Sequence, residues 1–292
     1  MPGLALKVDV DTLRGTQEGV PNLLRLLDQV QARATFLFSL GPDHTGWAIR
    51  RAFRPGFFSK VQRTSVLSHY GLKTLLYGTL LPAPDIGLRT KDILRSVRDA
   101  GHEVGVHTWD HVLWQDNVRA RNGDWTRKQM QRACDRFVDI FGTPPTTHGA
   151  AGWQMNDHAF VCLDELGLRY ASDTRGGQPF TPVIAGKKMQ CVQLPTTLPT
   201  LDEIIGVDDM DENAAADHVL AQTTQNEQIF TLHAELEGRK LLPQFERLLR
   251  GWQDQGFHLQ TLAQSFAALP TPPAPRSPLW GTLPGRSGEV MT

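Results

Sequence analysis

Asp9 and Asp11 stand two residues apart in the stretch KVDVDT, near the start of the chain. Side chains alternate along a strand, so both carboxylates face one way while Val8 and Val10 face the other. Asp is depleted in strands, and two carboxylates on one face repel unless something positive sits between them or one takes a proton. A strand end running into a turn accounts for the pair, and so does a cation site. A second group is VHTWDH, with His107 and His111 at i and i+4. On a helical turn that spacing puts both imidazoles on one side, where they can hold one metal ion. Alone it is weak in a chain with ten histidines, and Trp109 and Asp110 between them could simply pack and cap. The combination says more. A strand-end Asp with two His makes a three-ligand site with positions open for water and substrate. The other carboxylate is then available as a general base, and the metal's charge relieves the repulsion of the pair. His233, in TLHAE, is a candidate general acid for a leaving group; its plainer reading is a satisfied core histidine.

These groups must be brought together by elements far apart in the chain. LALKVDV (4–10) reads as a buried strand, VPNLLRLLDQVQA (20–32) as an amphipathic helix with Pro21 in its first turn, and TFLFSL (35–40) as a second strand. TKDILRSVRDAG (90–101) reads as a helix with Thr90 as N-cap and Gly101 as its stop, followed by the strand HEVGVHT (102–108). Helices are expected over 126–142, 156–167, 240–256 and 261–269, and strands at RYAS, MQCVQL, QIFTLHA and FHLQT. Repeated β-then-α order predicts an α/β fold with a mostly parallel sheet and crossover helices, open or closed into a barrel. Active residues in such folds sit at strand C-terminal ends. Asp9 and Asp11 end one predicted strand, His107 a second and His233 a third. That convergence is the first functional signal.

Composition narrows the alternatives. The 292 residues are 40% hydrophobic, enough for a substantial core, and 30 Lys and Arg against 31 Asp and Glu argue against a generic polyanion binder. Cys134, Cys162 and Cys191 show no disulfide or metal spacing, which suits a reducing compartment. The start enters a strand directly with no signal-peptide pattern, and no run of about 18 apolar residues exists to span a bilayer.

Asp-x-Asp on the first strand, His-x-x-x-His on a later one and Leu-His near the end resemble the polysaccharide deacetylase (NodB-type) family. The resemblance implies a distorted (β/α)7 barrel and divalent-metal hydrolysis of N-acyl groups on sugars. VDVDTLRGTQEGVP, LFSLGPD, GHEVGVHTWDH, AAGW, YASDTRG, LPTTLPTLDEIIG and LHAELEG together are similar to one subfamily. Its members deformylate 4-deoxy-4-formamido-L-arabinose carried on undecaprenyl phosphate, in lipid A modification and polymyxin resistance. The match implies Asp9 as base, Asp11, His107 and His111 as ligands of Zn, Mn, Co or Ni, His233 as acid, and work at the cytoplasmic face of the bacterial inner membrane. The broad family's Arg-x-Pro segment, whose Arg orients the base, is replaced by HGAAGWQ (148–154). Arg175 is therefore the candidate partner of Asp9, and Asp173 the candidate orienter of His233. Trp153, in that segment, is a supporting candidate. Asp202, Glu203 and Glu235 are candidates for sugar hydroxyls, each with an ordinary alternative as helix N-terminal charge or ion pair.

Two segments depart from the β/α pattern. Residues 41–89 interrupt it after the second strand. Within them, 44–84 hold no Asp or Glu, six Lys or Arg and six aromatics, leaving 24 basic against 31 acidic residues elsewhere. Trp47, Arg50, Arg51, Arg54, Phe57, Phe58, Lys60 and Arg63 have the chemistry of contact with an anionic membrane surface or a prenyl phosphate. A solvated hairpin packed on the barrel is the plainer alternative; nucleic acid is disfavoured by the acidic remainder. Residues 269–292, with six of the 19 prolines, are expected to be a disordered tail following a single catalytic domain over 1–268. Three other functions compete. One is an N-deacetylase of another envelope sugar. Another is an Fe(II) oxygenase with a two-His-one-carboxylate triad, against which the spare Asp9 speaks. The third is a non-catalytic metal-bearing glycolipid-binding protein, which would need neither base nor acid.

Overall fold

The computed structural model describes residues 1–48, 72–224, 226–270, 273–286 and 288–292. In it β1 (Gly3–Val10) is buried along its whole length and divides by period two. Leu4, Leu6, Val8 and Val10 join the main apolar cluster with Leu23, Leu27, Phe36 and Phe38. Ala5, on the other face, joins a smaller cluster with Tyr170, Val192, Leu194, Ile229 and Leu262. Lys7 and Asp9 continue that second face. It therefore runs from an apolar plug at the N-terminal ends of the strands to charged groups at their C-terminal ends.

The strands that follow, up to residue 260, are β2 (Thr35–Ser39), β3 (Glu103–Thr108), β4 (Thr147–His148), β5 (Tyr170–Ala171), β6 (Thr181–Ile184), β7 (Lys187–Lys188), β8 (Val192–Gln193), β9 (Gln228–His233) and β10 (His258–Gln260). Seven of them join β1 in one eight-stranded sheet in which every pair is parallel. Seven lie in the row β9-β1-β2-β3-β4-β5-β8. Short β10 takes Gly3–Ala5 on the edge of β1 that β2 occupies further along. The chain after β8 reaches across to β9, with Thr197 and Leu198 N–H donating to the Ile229 carbonyl at 3.1 and 3.2 Å. The expected distorted (β/α)7 barrel is thus present.

Register matters for the site. Asp9 pairs with His233 across β1 and β9. Between β2 and β3 the register slips: Phe38 pairs with Val106 but Ser39 with Thr108, so His107 has no counterpart. A bulge of this kind re-aims the side chain at the bulged position.

The helices follow their local signals closely. The 19-residue helix Gly123–Phe141 starts three residues earlier than periodicity predicts because Asn122 caps it, and it stops at left-handed Gly142. Lys91–Asp99 and Asp157–Glu165 lie within their predicted spans, and Pro243 sits in the first turn of Leu242–Asp254. Thr90 occupies the predicted cap position, but its hydroxyl donates back to the Ile86 carbonyl instead. Five α-helices among the described residues lie outside the expected spans: the short Leu72–Leu76, Ile86–Arg89 and Leu201–Ile204, then His111–Asn117, and Glu212–Gln222, whose alanine-rich sequence has no clear apolar stripe. No helix among the described residues is long and apolar enough to cross a membrane. The three cysteines are free and buried.

The C-terminal segment corrects an expectation. Its described residues are ordered instead of forming a disordered tail. β11 (Pro275–Arg276) pairs with β6, and β12 (Trp280–Thr282) with β13 (Glu289–Met291) makes an antiparallel hairpin. Val290 and Met291 are buried, and Met291 packs in an apolar cluster with Trp114 and Phe160. The segment shows no periodicity because it borrows the body's core and needs none of its own. Its prolines suit extended chain at a sheet edge.

Candidate active site

Asp11 lies one residue beyond the end of β1, His107 in the β3 bulge, and His111 at the first position of the helix His111–Asn117, whose N-cap Asp110 accepts from Leu113 N–H at 3.0 Å. The two histidines therefore meet through a strand end, a tight turn and a helix start, not on one continuous helical turn. Asp11 Oδ1 is 3.2 Å from His107 Nε2, and Asp11 Oδ2 is 3.3 Å from His111 Nε2. One ligand atom from each residue lies within 4.8 Å of the others, a group that could hold a metal ion. Asp11 Oδ1, Asp9 Oδ1 and His107 Nδ1 are buried without a hydrogen-bond partner. Two imidazoles and a carboxylate, with orphaned oxygen atoms beside them, are a donor set that suits a divalent cation. Burial alone would raise the Asp11 pKa, but the charges of His111 and His107, contact with His107 and the charge of His233 outweigh it, so Asp11 stays a carboxylate.

Asp9 is not paired with Arg175. Its cation is Lys7, whose Nζ lies 3.1 Å from Asp9 Oδ2 with both side chains buried. Lys7, Asp9 and Asp11 share one face by period two, so the signal was present in KVDVDT itself; a lysine inside a buried strand was overlooked. Arg175 instead donates to Glu203 Oε1 at 2.7 Å and to the Leu198 carbonyl at 3.2 Å. The Trp153 ring lies among three cations, with Lys7 Nζ 5.1 Å, Arg175 Cζ 4.7 Å and Arg286 Cζ 4.6 Å from its centroid. Trp153 thus supports Lys7 from a segment that the sequence marked only as unusual.

Asp173 does not orient His233 either. Its Oδ1 is 2.6 Å from His148 Nδ1, and its Oδ2 accepts from Gln193 Nε2. The acid that acts most strongly on His233 is Asp202. Burial works to lower the His233 pKa, but Asp202, then Asp11, Glu237 and Asp9, raise it to about 9. The His233 backbone N–H is held by Glu237 Oε2 at 2.8 Å. Burial pushes the Glu237 carboxyl up to about 7, with the His233 charge and its backbone bond opposing.

Glu235 is not free for a sugar hydroxyl. Its Oε1 accepts from Asp11 N–H, Thr12 N–H and the Thr12 hydroxyl at 3.0, 2.8 and 2.9 Å, fixing the turn that carries Asp11. Burial first, then the Asp11 charge, raises its pKa. The carboxyl fits because residue 15 is glycine; a Cβ there would lie 1.9 Å from Glu235 Oε1. Glu203 is likewise engaged, by Arg175 and by the Thr200 N–H in a capping box. Of the aromatic-basic group, Trp47 stacks on His44 with centroids 3.7 Å apart and donates from Nε1 to the Gly78 carbonyl. His44 Nδ1 is in turn 2.6 Å from Asp110 Oδ2, so this ring pair abuts the turn between His107 and His111. Arg50, Arg51, Arg54, Phe57, Phe58, Lys60 and Arg63 lie outside the described residues.

Comparison with known proteins agrees with this geometry. The polysaccharide deacetylase family profile matches residues 4–171. A Shewanella sediminis (strain HAW-EB3) protein named "Probable 4-deoxy-4-formamido-L-arabinose-phosphoundecaprenol deformylase ArnD" is 36% identical over 247 residues, covering 84% of this chain and 80% of its own. A Wigglesworthia glossinidia brevipalpis protein of the same name is 31% identical over 282 residues, covering 94% and 97%. In fold, a Mycobacterium smegmatis crystal structure, provisionally described as a polysaccharide deacetylase, superposes with a TM-score of 0.63 at 18% identity, covering 93% of this chain and 92% of that one.

Proposed function

The chain belongs to the polysaccharide deacetylase family, and on that premise we propose that it removes the N-formyl group from 4-deoxy-4-formamido-L-arabinose carried on undecaprenyl phosphate. The products are formate and a free-amino sugar lipid for lipid A modification. Two observations support the reading: relatives of that name align over most of the chain, and a base, a three-donor cation site and an acid meet at the ends of β1, β3 and β9.

Asp11, His107 and His111 would hold the cation. When bound, a divalent ion supplies Lewis acidity that polarises the amide carbonyl and brings the pKa of water down to about 7. Asp9 accepts the proton of the attacking water through Oδ1, which has no hydrogen-bond partner, while Lys7 holds Oδ2. Water oxygen bonds to the formyl carbon and the C–N bond breaks. His233, kept protonated by its acidic neighbours, gives a proton to the departing amine nitrogen. The proton taken by Asp9 balances the one given by His233. The polyprenyl chain stays in the bilayer at the cytoplasmic face while the sugar reaches the barrel mouth; the acid-free, aromatic stretch 44–84 is the natural membrane contact by composition.

The test is incubation with formamido- and acetamido-sugar polyprenyl phosphates, assaying formate and acetate with and without chelator. Chelator-sensitive formate release supports the reading. Acetate release with no formate moves the assignment to deacetylation. Neither product, with the sugar lipid still bound, points to a glycolipid-binding protein.

A further inference from the structure

The C-terminal segment bears on the site through one residue. Arg286 reaches Trp153, with Cζ 4.6 Å from the ring centroid, donates from Nη2 to the Gly152 carbonyl at 3.2 Å, and has Nη1 3.4 Å from Glu203 Oε1. Gly285, just before it, is left-handed at φ 75°, and a Cβ there would lie 2.1 Å from the Glu203 carbonyl oxygen, so the chain is pressed against the short helix Leu201–Ile204. The segment it holds is strained: Gly152 and Trp153 both have positive φ, 59° and 54°, and a tryptophan there is an uncommon and costly conformation. A second tail contact braces the same segment: Gln154 Nε2 donates to the Glu289 carbonyl at 2.7 Å. The tail is also tied to the strand-end segment of Arg175, whose N–H donates to the Met291 carbonyl at 2.8 Å. The Trp153 ring so held is the one beside which Lys7 lies, and Lys7 is the cation of Asp9.

We propose that Arg286 is a positioning residue. It clamps Trp153 in its left-handed conformation, and Trp153 in turn seats Lys7 against the proposed base Asp9. The C-terminal segment is then a working part of the active centre. This rests on the deacylase reading for its kinetic arm but not for its structural arm.

The structural arm is hydrogen exchange on full-length wild type, Arg286→Met and Arg286→Lys. The Met variant should lose protection in the peptide spanning 150–155 while β1 and β9 keep theirs and the metal content by elemental analysis is unchanged. The Lys variant should recover part of it. Unchanged exchange at 150–155 overturns the clamp, and loss across the whole barrel or of the metal reduces Arg286 to a general stability residue and overturns it too. The kinetic arm uses whichever amide the wild type cleaves. Arg286→Met should lower kcat about tenfold with KM within about threefold. Combined with Lys7→Met it should lower kcat no further than Lys7→Met alone, because both act on one path. Multiplicative losses in the double variant refute that path. A wild type that cleaves no amide refutes the deacylase reading and leaves the exchange result to decide the clamp.

Discussion

Removing Lys7 should damage this protein in a way that removing Asp9 as well partly repairs. Lys7 Nζ and Asp9 Oδ2 are 3.1 Å apart with side chains 0% and 4% exposed. At that distance two unit charges attract by about 5 kcal/mol at an effective dielectric of about 20. Leaving one member of a buried pair unpaired costs about 3–5 kcal/mol. Lys7→Met has nearly the same length and strands the Asp9 carboxylate; Asp9→Asn strands the ammonium. Each single variant should therefore lose about 3–5 kcal/mol of unfolding free energy. The double variant strands neither charge, so it should lose less than either single variant and fall short of the summed losses by at least about 3 kcal/mol. The assay is urea unfolding of all four proteins in chelator, which removes any metal contribution. Single losses under 1 kcal/mol, or a double variant additive within about 0.5 kcal/mol, would show that the pair is not coupled and that some other group steadies Asp9.

Three further outcomes follow from the same geometry. Asp9→Asn should abolish formate release while metal content by elemental analysis stays at the wild-type level; turnover near the native rate would remove Asp9 from the role of base. Asp11→Ala and His107→Ala should each lose the metal, read by elemental analysis after dialysis; full occupancy in either would displace the site. His102 gives a pH test away from the metal. Burial, then the Arg33 charge, lowers its pKa to about 4 against the usual 6.5, with Asp28 opposing, and its Nδ1 accepts from Ala34 N–H at 3.2 Å. The unfolded chain binds the extra proton first, so this contribution is whole above pH 6.5 and about 3 kcal/mol is lost as pH falls to 4. His102→Asn keeps the acceptor and should flatten that part of the urea-midpoint profile; an unaltered slope would assign the acid sensitivity elsewhere.

What could be read from the sequence was what repeats or what is local. Period two in KVDVDT placed Asp9 and Asp11 on one face, and the apolar stripe of VPNLLRLLDQVQA gave the helix Val20–Gln29. The gathering of Asp11, His107 and His111 followed from strand ends in an α/β order. Side-chain partners across the barrel were not legible. Arg175 and Asp173 stand two residues apart in SDTRG, yet one reaches Glu203 and the other His148; both lie beyond the end of β5, where the two-residue period of a strand no longer fixes which way a side chain points. Asp202 reads in the sequence as a sugar contact, since nothing local says that its charge falls on a histidine 31 positions further along the chain. The C-terminal segment misled for a related reason: a strap laid on another surface needs no stripe of its own.

The single unmatched residue in β3 has a consequence for how such proteins are compared and altered. Shortening that strand by one position would leave both imidazoles in the written sequence while turning one of them away from the carboxylate of Asp11. A one-residue deletion there would keep both histidines and the Asp pair in the sequence while taking the bulge from the cation cradle. The pairing of Phe38 with Val106 and of Ser39 with Thr108 is therefore as much a part of the cation cradle as the histidines themselves.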